Sequence, residues 1–258
     1  MKNTDICPLN VFKIMSKHSI LRLFAILALA IAFTTNTANA QTIKGNGKIK
    51  TEVRQVSGYN RVVVQGQVEL YLSQETTESV KIESEENLVS LFKTSVSDST
   101  LYVFVPSVKK ALKLNVTVAF KDLKQIVLLN EVTLNSEKVA NFDNIEFICG
   151  DASRLNFEFK ASKCMLKVVD NGNASLRGYT EYLTIEAHDE TSVNAFDLQS
   201  DYCTVIGSGY AEISVNAKKK LGVTISGSSN LYYMGEANIW QRNFTSSGLI
   251  TKRKSAGK

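Results

Sequence analysis

Residues 183–231 read LTIEAHDETSVNAFDLQSDYCTVIGSGYAEISVNAKKKLGVTISGSSNL. Three alternating runs recur in it: Leu183-Thr-Ile185, Cys203-Thr-Val205 and Leu221-Gly-Val-Thr-Ile225. Each is followed by a short polar or glycine-bearing turn. Alternation with a period of two marks strands that bury one face. Its return after about twenty residues marks a structural repeat, and a period of that size points to stacked coils.

The same pattern extends in both directions from about residue 122 to residue 250. An apolar residue recurs at Leu134, Leu155, Leu176, Val193, Ile213, Leu231 and Ile250, at intervals of 21, 21, 17, 20, 18 and 19. Four positions before each stand Asn130, Asp151, Gly172, Asp189, Gly209, Gly227 and Ser246. All but the last are residue types that tolerate a left-handed corner. A β-sandwich can show strands at this spacing, but it has no reason to keep corner chemistry in step over seven units. One repeat cannot bury its apolar face alone. Stacked about 4.8 Å apart, each coil pairs its backbone with the next, and equivalent side chains form ladders. The expectation is an all-β fold, a parallel β-solenoid over residues 122–250.

Residues 41–121 read as a less regular β region that caps or extends this stack. Arg61 to Leu72 reads as two strands around the Gly66 turn, and Val80–Glu83 and Leu101–Val105 as further strands. Glu85 to Lys93 reads as a short helix with Leu88, Leu91 and Phe92 on one face. Pro106 is the last proline of the chain, as suits a sheet-dominated region after it.

Residues 1–40 read as an export signal. Lys17 and Arg22 precede an apolar run from Leu23 to Phe33, and Ala38-Asn39-Ala40 offers a cleavage site before Gln41. Met15 is an alternative start. The run is shorter than the roughly 20 residues that span a bilayer, so no transmembrane anchor is expected. The reading places the protein in the periplasm or on the outer surface of a Gram-negative cell. Without residues 1–40 the 30 basic and 25 acidic residues fall to 26 and 24. Four of the basic ones crowd into the last seven positions, so the body is near neutral and lacks the basic stripe a nucleic acid needs.

Taken in order, the segments carry a resemblance. Gly45-Asn-Gly47, Arg54, Ser57-Gly-Tyr59 and the Val62–Leu72 strands stand at the front, with Gly/Ser turns and Leu231-Tyr-Tyr-Met-Gly235 at the back. In this order they resemble the autotransporter adhesins with a head GIN domain, a family common in Bacteroidetes. The resemblance covers nearly all of the chain after the signal. It implies a right-handed parallel β-helix with a shape like that of pectin lyases, an exported protein, and a role in cell adhesion.

Candidate chemistry is sparse. Asp151, Asp170 and Asp189 are 19 residues apart, so stacked carboxylates could hold a cation; Asp is equally a corner residue. Asp151 and Asp189 share a repeat position, which Asp170 misses by two, so these two are the weak metal candidates. His188 is the only histidine after the signal and has no nucleophile motif beside it. Cys149, Cys164 and Cys203 sit among apolar residues and read as buried thiols, a single disulfide being the alternative. Lys218-Lys-Lys220 reads as a solvated outer corner, and residues 251–258 as a basic tail whose Lys252-Arg-Lys254 is a soluble end capping the stack. The aromatic residues offer the best binding surface: Tyr182 and Tyr202, 20 apart, with Tyr179, Tyr210, Tyr232, Tyr233 and Trp240 along the same stretch. Exposed rings in a row suit sugar faces or a protein partner, although aromatics also pair across rungs for purely structural reasons. The expected function is therefore non-catalytic binding of a cell-surface glycan or protein, without a cofactor. The alternatives are a carbohydrate-active enzyme of pectin-lyase-like shape and a structural protein that assembles as a homo-oligomer.

Overall fold

A computed structural model describes residues 43–254. The export signal, its cleavage site and the alternative start lie outside the described residues. No helix among those residues is long and apolar enough to cross a membrane.

The repeat forms a parallel solenoid of about seven turns. Its first turn holds β8 (Gln125–Leu129) and β9 (Val132–Ser136). The following turns are built from β10 (Ala140–Cys149), β11 (Arg154–Val168), β12 (Asn173–Ala187), β13 (Ser192–Gly207) and β14 (Glu212–Gly227). It ends in β15 (Asn230–Met234), β16 (Asn238–Ser246) and β17 (Ile250–Lys252). The long strands bend as they run. The ladder between β11 and β12 skips Ser162 and Glu181, and that between β12 and β13 skips Glu181 and Asp201. One strand thus serves two walls of the coil.

The register corrects one rung of the expected ladder. Leu155 pairs with Ala174, not Leu176, and Ala174 with Val193; Leu176 faces Phe157. Both Ala174 and Leu176 are buried, because side chains two apart on a strand point the same way. The corner four residues before Ala174 is then Asp170, so Asp170 is in step with Asp151 and Asp189. Asn130, Asp151, Asp170, Asp189, Gly209 and Gly227 all adopt positive φ, between 49° and 72°.

The N-terminal part contributes further coils, in an order that differs from the chain. Here β2 (Arg61–Gln65) and β3 (Val68–Gln74) lie parallel to β8 and β9. On their other side lie β6 (Thr100–Phe104) and β7 (Leu114–Phe120), also parallel. The 61–74 coil is therefore sandwiched between two segments that follow it in sequence. The core ladder runs Val116, Leu70, Leu134, Leu155, Ala174, Val193, Ile213, Leu231, Ile250.

The outer edge of that first coil is covered. β4 (Ser79–Glu85) pairs antiparallel with β7, β5 (Lys93–Ser97) with β6, and β1 (Ile49–Gln55) with β4. The helix, α1 (Glu86–Val89), is a single turn that buries Leu88 and Val89; Phe92 is buried just beyond it. Arg54 secures it, donating to Phe92 O at 2.8 Å and Val89 O at 3.1 Å. Where the cap region meets the repeat, Phe120, Phe142, Phe147, Phe157 and Phe159 form one aromatic cluster with ring centroids 5.5–6.4 Å apart.

The three cysteines are buried free thiols. Cys164 pairs with Leu183 and Leu183 with Cys203, so the two are separated by a whole coil. Two steps of about 4.8 Å put them roughly 9.6 Å apart, beyond the Cα span of a disulfide.

Candidate functional site

Tyr182 and Tyr202 open the wall that follows the Glu181 and Asp201 corners. They belong to an outward row in continuous register, Asn144, Lys163, Tyr182, Tyr202, Lys220 and Asn238. Because consecutive coils are about 4.8 Å apart, two rings in one row must stack. Their centroids are 4.9 Å apart and their planes 12° from parallel. Tyr182 nevertheless keeps 43% of its surface exposed.

The neighbouring corner supplies a polar rim. The β14 strand has one more residue than β13 at this point, because the register moves from Ser200↔Ala217 to Tyr202↔Lys220. The added length brings Lys219 back onto Asp201, Nζ to carboxylate 2.7 Å, with the ammonium 5.5 Å from the Tyr202 ring centroid. The hydrogen bond from Lys219 holds the Asp201 carboxyl below its ordinary range, and the same bond raises the Lys219 ammonium. Tyr179, 38% exposed, stands on the preceding wall with its hydroxyl engaged by Asp201. Its phenol titrates higher than usual, chiefly through partial burial and then through the Asp201 charge. The Glu181 charge raises that of Tyr182.

On the other side of Tyr182 the face sinks into a groove of about 560 Å³, with Met165 and Thr184 along it and Asp143, Glu146, Lys124 and Lys163 at its sides. Glu146 is already held there by Gln125 Nε2 at 2.7 Å and by Lys167 at 3.6 Å. Further along the same wall, Trp240 lies over Gly222. A Cβ at Gly222 would stand 3.2 Å from the indole, so the missing side chain makes the seat for the ring. Trp240 remains 60% exposed. Nothing in the spacing of the repeat signals this pair, because Trp240 occupies a register shift between Leu221 and Gly222.

Tyr210, Tyr232 and Tyr233, also named from the sequence, lie elsewhere. Tyr210, 67% exposed, sits in the corner between Gly207 and Ala211, its N–H donating to Asp189 O at 3.0 Å. Tyr233 is partly buried against the core, while its neighbour Tyr232 lies under Arg253 at 4.6 Å. The structure therefore brings Tyr182 and Tyr202 together, adds Tyr179 to them, and sets Tyr210 and Tyr233 apart.

Asp151, Asp170 and Asp189 are corner residues. Their carbonyls accept the N–H of Glu131, Ala152 and Tyr210, stitching each corner to the next coil. Among the described residues no three His, Cys, Asp or Glu side chains come together as a metal ion requires. His188 Nδ1 lies 2.6 Å from Ser208 Oγ on the adjacent coil. Burial pushes the Cys149 thiol up to about 11 and Cys203 to about 12, and raises Cys164 as well, so none is a thiolate at neutral pH.

Comparison with known proteins places this geometry. Residues 58–237 match the family described as "Putative auto-transporter adhesin, head GIN domain". Among curated proteins none matches the sequence. Solved structures share the fold. A putative adhesin from Bacteroides fragilis aligns with a TM-score of 0.76 at 18% identity, over 82% of this chain and 100% of its own. A putative adhesin from Parabacteroides merdae gives 0.65 at 19%, over 83% and 99%. A putative lipid binding protein from Parabacteroides distasonis gives 0.65 at 19%, over 83% and 100%. With the family match running from the Tyr59 corner to the penultimate coil, the chain belongs to the head GIN domain family of putative auto-transporter adhesins.

Proposed function

We propose that the protein is an exported, non-catalytic binding protein that contacts a cell-surface glycan or protein through the Tyr182–Tyr202 face. The observation that carries this reading is the stacked, outward ring pair. A structural stack gains most by burying both faces, whereas this one leaves 43% of the Tyr182 surface in water. An exposed aromatic plate flanked by a lysine–aspartate pair offers an apolar face to a sugar ring or side chain. The polar rim fixes the partner's orientation. The family supports a binding role at a surface.

The test is a panel of immobilised glycans and cell-surface proteins probed with labelled protein, wild type against Tyr182→Ala/Tyr202→Ala. Two lost stacking contacts should weaken binding by about tenfold or more. Undiminished binding by the double variant would contradict the reading. Protease shaving of intact cells locates the molecule: digestion of residues 43–254 supports exposure at the surface, and full protection sinks surface adhesion.

A further inference from the structure

The tyrosine face leaves two basic runs unused. Lys218-Lys-Lys220 and Lys252-Arg-Lys254 are far apart in sequence; by themselves the first reads as a solvated corner and the second as a soluble end. The coils bring them together. Asn216 pairs with Gln199 on one side and Met234 on the other, Tyr233 pairs with Lys252, and the Arg253 N–H donates to Tyr233 O at 2.7 Å. The outcome is a groove of about 620 Å³ lined by Lys218, Lys252, Arg253 and Lys254 together with the amides of Gln199 and Asn216.

Charge in this groove is one-sided. Glu236 is the single carboxylate lining it, against four cations. Lys219, the middle of the first run, is committed to Asp201. Among the described residues no ion pair engages Lys218, Lys252, Arg253 or Lys254, although the Arg253 guanidinium also lies over the Tyr232 ring at 4.6 Å. Cations gathered around one concavity reinforce one another within the screening length of about 8 Å, and a concave shape concentrates their field. The amides add a second kind of recognition. Asn216 Nδ2 donates to Phe196 O at 3.1 Å, which leaves its oxygen as an acceptor for a hydroxyl.

We propose that this groove binds an acidic polysaccharide, its cations taking a carboxylate, sulfate or phosphate on one sugar and its amides the neighbouring hydroxyls. A membrane surface fits less well, because it calls for a broad basic face with apolar side chains to insert, and Met234 is the only large apolar side chain lining the groove. The inference goes beyond the tyrosine-based reading and does not rest on it, since it needs no ring contact.

The experiment measures binding of the folded protein to polygalacturonate, with neutral dextran and phosphatidylglycerol vesicles as comparators. Salt is set at about 50 and about 200 mM, between which the screening length halves. Wild type should bind polygalacturonate in preference to both comparators, and less tightly at the higher salt. Lys252→Gln/Lys254→Gln should weaken binding about tenfold and Lys218→Gln about threefold, with circular dichroism unchanged. Lys160→Gln, which removes an exposed charge on another coil, should change it by less than about twofold. The Tyr182→Ala/Tyr202→Ala protein should bind this probe as wild type does. The proposal is overturned if wild type does not bind, or if Lys160→Gln weakens binding as much as the groove variants. Equal or tighter binding to vesicles overturns it in favour of a membrane surface. Loss in the tyrosine variant alone moves the acidic ligand to the other face and overturns the groove assignment.

Discussion

The two ends of the stack solve the same problem differently. A solenoid's terminal coils expose a row of unpaired backbone groups that would pair with any strand presented to them. At the N-terminal end that row is covered by β4 and β5, both turned antiparallel, with β1 and a single helical turn beyond. Polar side chains are spent on fastening the cover: Arg54 on the carbonyls around the helix, Glu78 on the Gly58 N–H, and Tyr59 on Ala119 O at 2.6 Å. At the other end β16 and β17 are the last rungs, and Trp240, Phe244 and Leu249 stand exposed there. Tyrosine shows the contrast most sharply. Tyr59 is buried and hydrogen-bonded, whereas Tyr182 is exposed and stacked on a half-buried Tyr202. The cap region ties its aromatic hydroxyl to the backbone; the repeat leaves part of its ring surface in solvent.

The strongest way to break this comparison is to cut the joint between the two regions. Phe147 is fully buried in the aromatic cluster that joins Phe120 to the repeat. Phe147→Ala should cost about 3–5 kcal/mol by urea denaturation. Because one continuous core spans both regions, unfolding should stay a single transition; a second transition would show the cap to be independent.

A smaller effect tests whether the two regions share one corner design. Gly66 in the cap region and Gly178 in the repeat have φ of 111° and 114°. A Cβ at either would run into a carbonyl oxygen of the adjacent coil, Val105 or Phe159. Gly66→Ala and Gly178→Ala should each cost on the order of 1–3 kcal/mol. Similar losses in thermal melts would confirm one design; tolerance at Gly66 alone would show that the cap region relaxes where the repeat does not.

The smallest effect concerns Tyr59. Burial, and then the Glu78 charge, raise its phenol above the ordinary value near 10. The folded state therefore favours the protonated ring. Its contribution is complete below about pH 10 and is lost as pH rises above that. Tyr59→Phe should cost about 1 kcal/mol at neutral pH, through the lost hydrogen bond. It should also flatten the fall of stability above about pH 10, measured by denaturant midpoints. The buried thiols of Cys149 and Cys203, raised in the same direction, add a decline that begins nearer pH 9 and is unaffected by the Tyr59 change.

Much of the fold is legible in the chain because the solenoid writes each rung into sequence twice, as an apolar residue and as a corner. At the third rung of the repeat Leu176, with Gly172 four residues before it, outweighs Ala174 to the eye, and a strand's two-residue period leaves the choice open. The left-handed Asp170 settles it. The threading of residues 61–74 between two later coils leaves no local signal, since strand alternation says nothing about which strand lies alongside. The Tyr182–Tyr202 stack is legible from spacing alone. The place of Tyr179 beside that stack, the seating of Trp240 on Gly222 and the meeting of the two basic runs are not, because each depends on corners where the register shifts or the ladder skips a residue.

The central claim is that the Tyr182–Tyr202 stack serves a partner rather than the fold. Its most direct test measures two quantities on the Tyr182→Ala/Tyr202→Ala protein: its melting temperature, and its affinity for the tightest-binding member of the surface panel. The account predicts a melting temperature within about 3 °C of wild type, since an exposed pair contributes about 1 kcal/mol to the fold. It predicts a loss of affinity of about tenfold or more. A larger fall in melting temperature with affinity unchanged would contradict it and make the stack a rung of the scaffold.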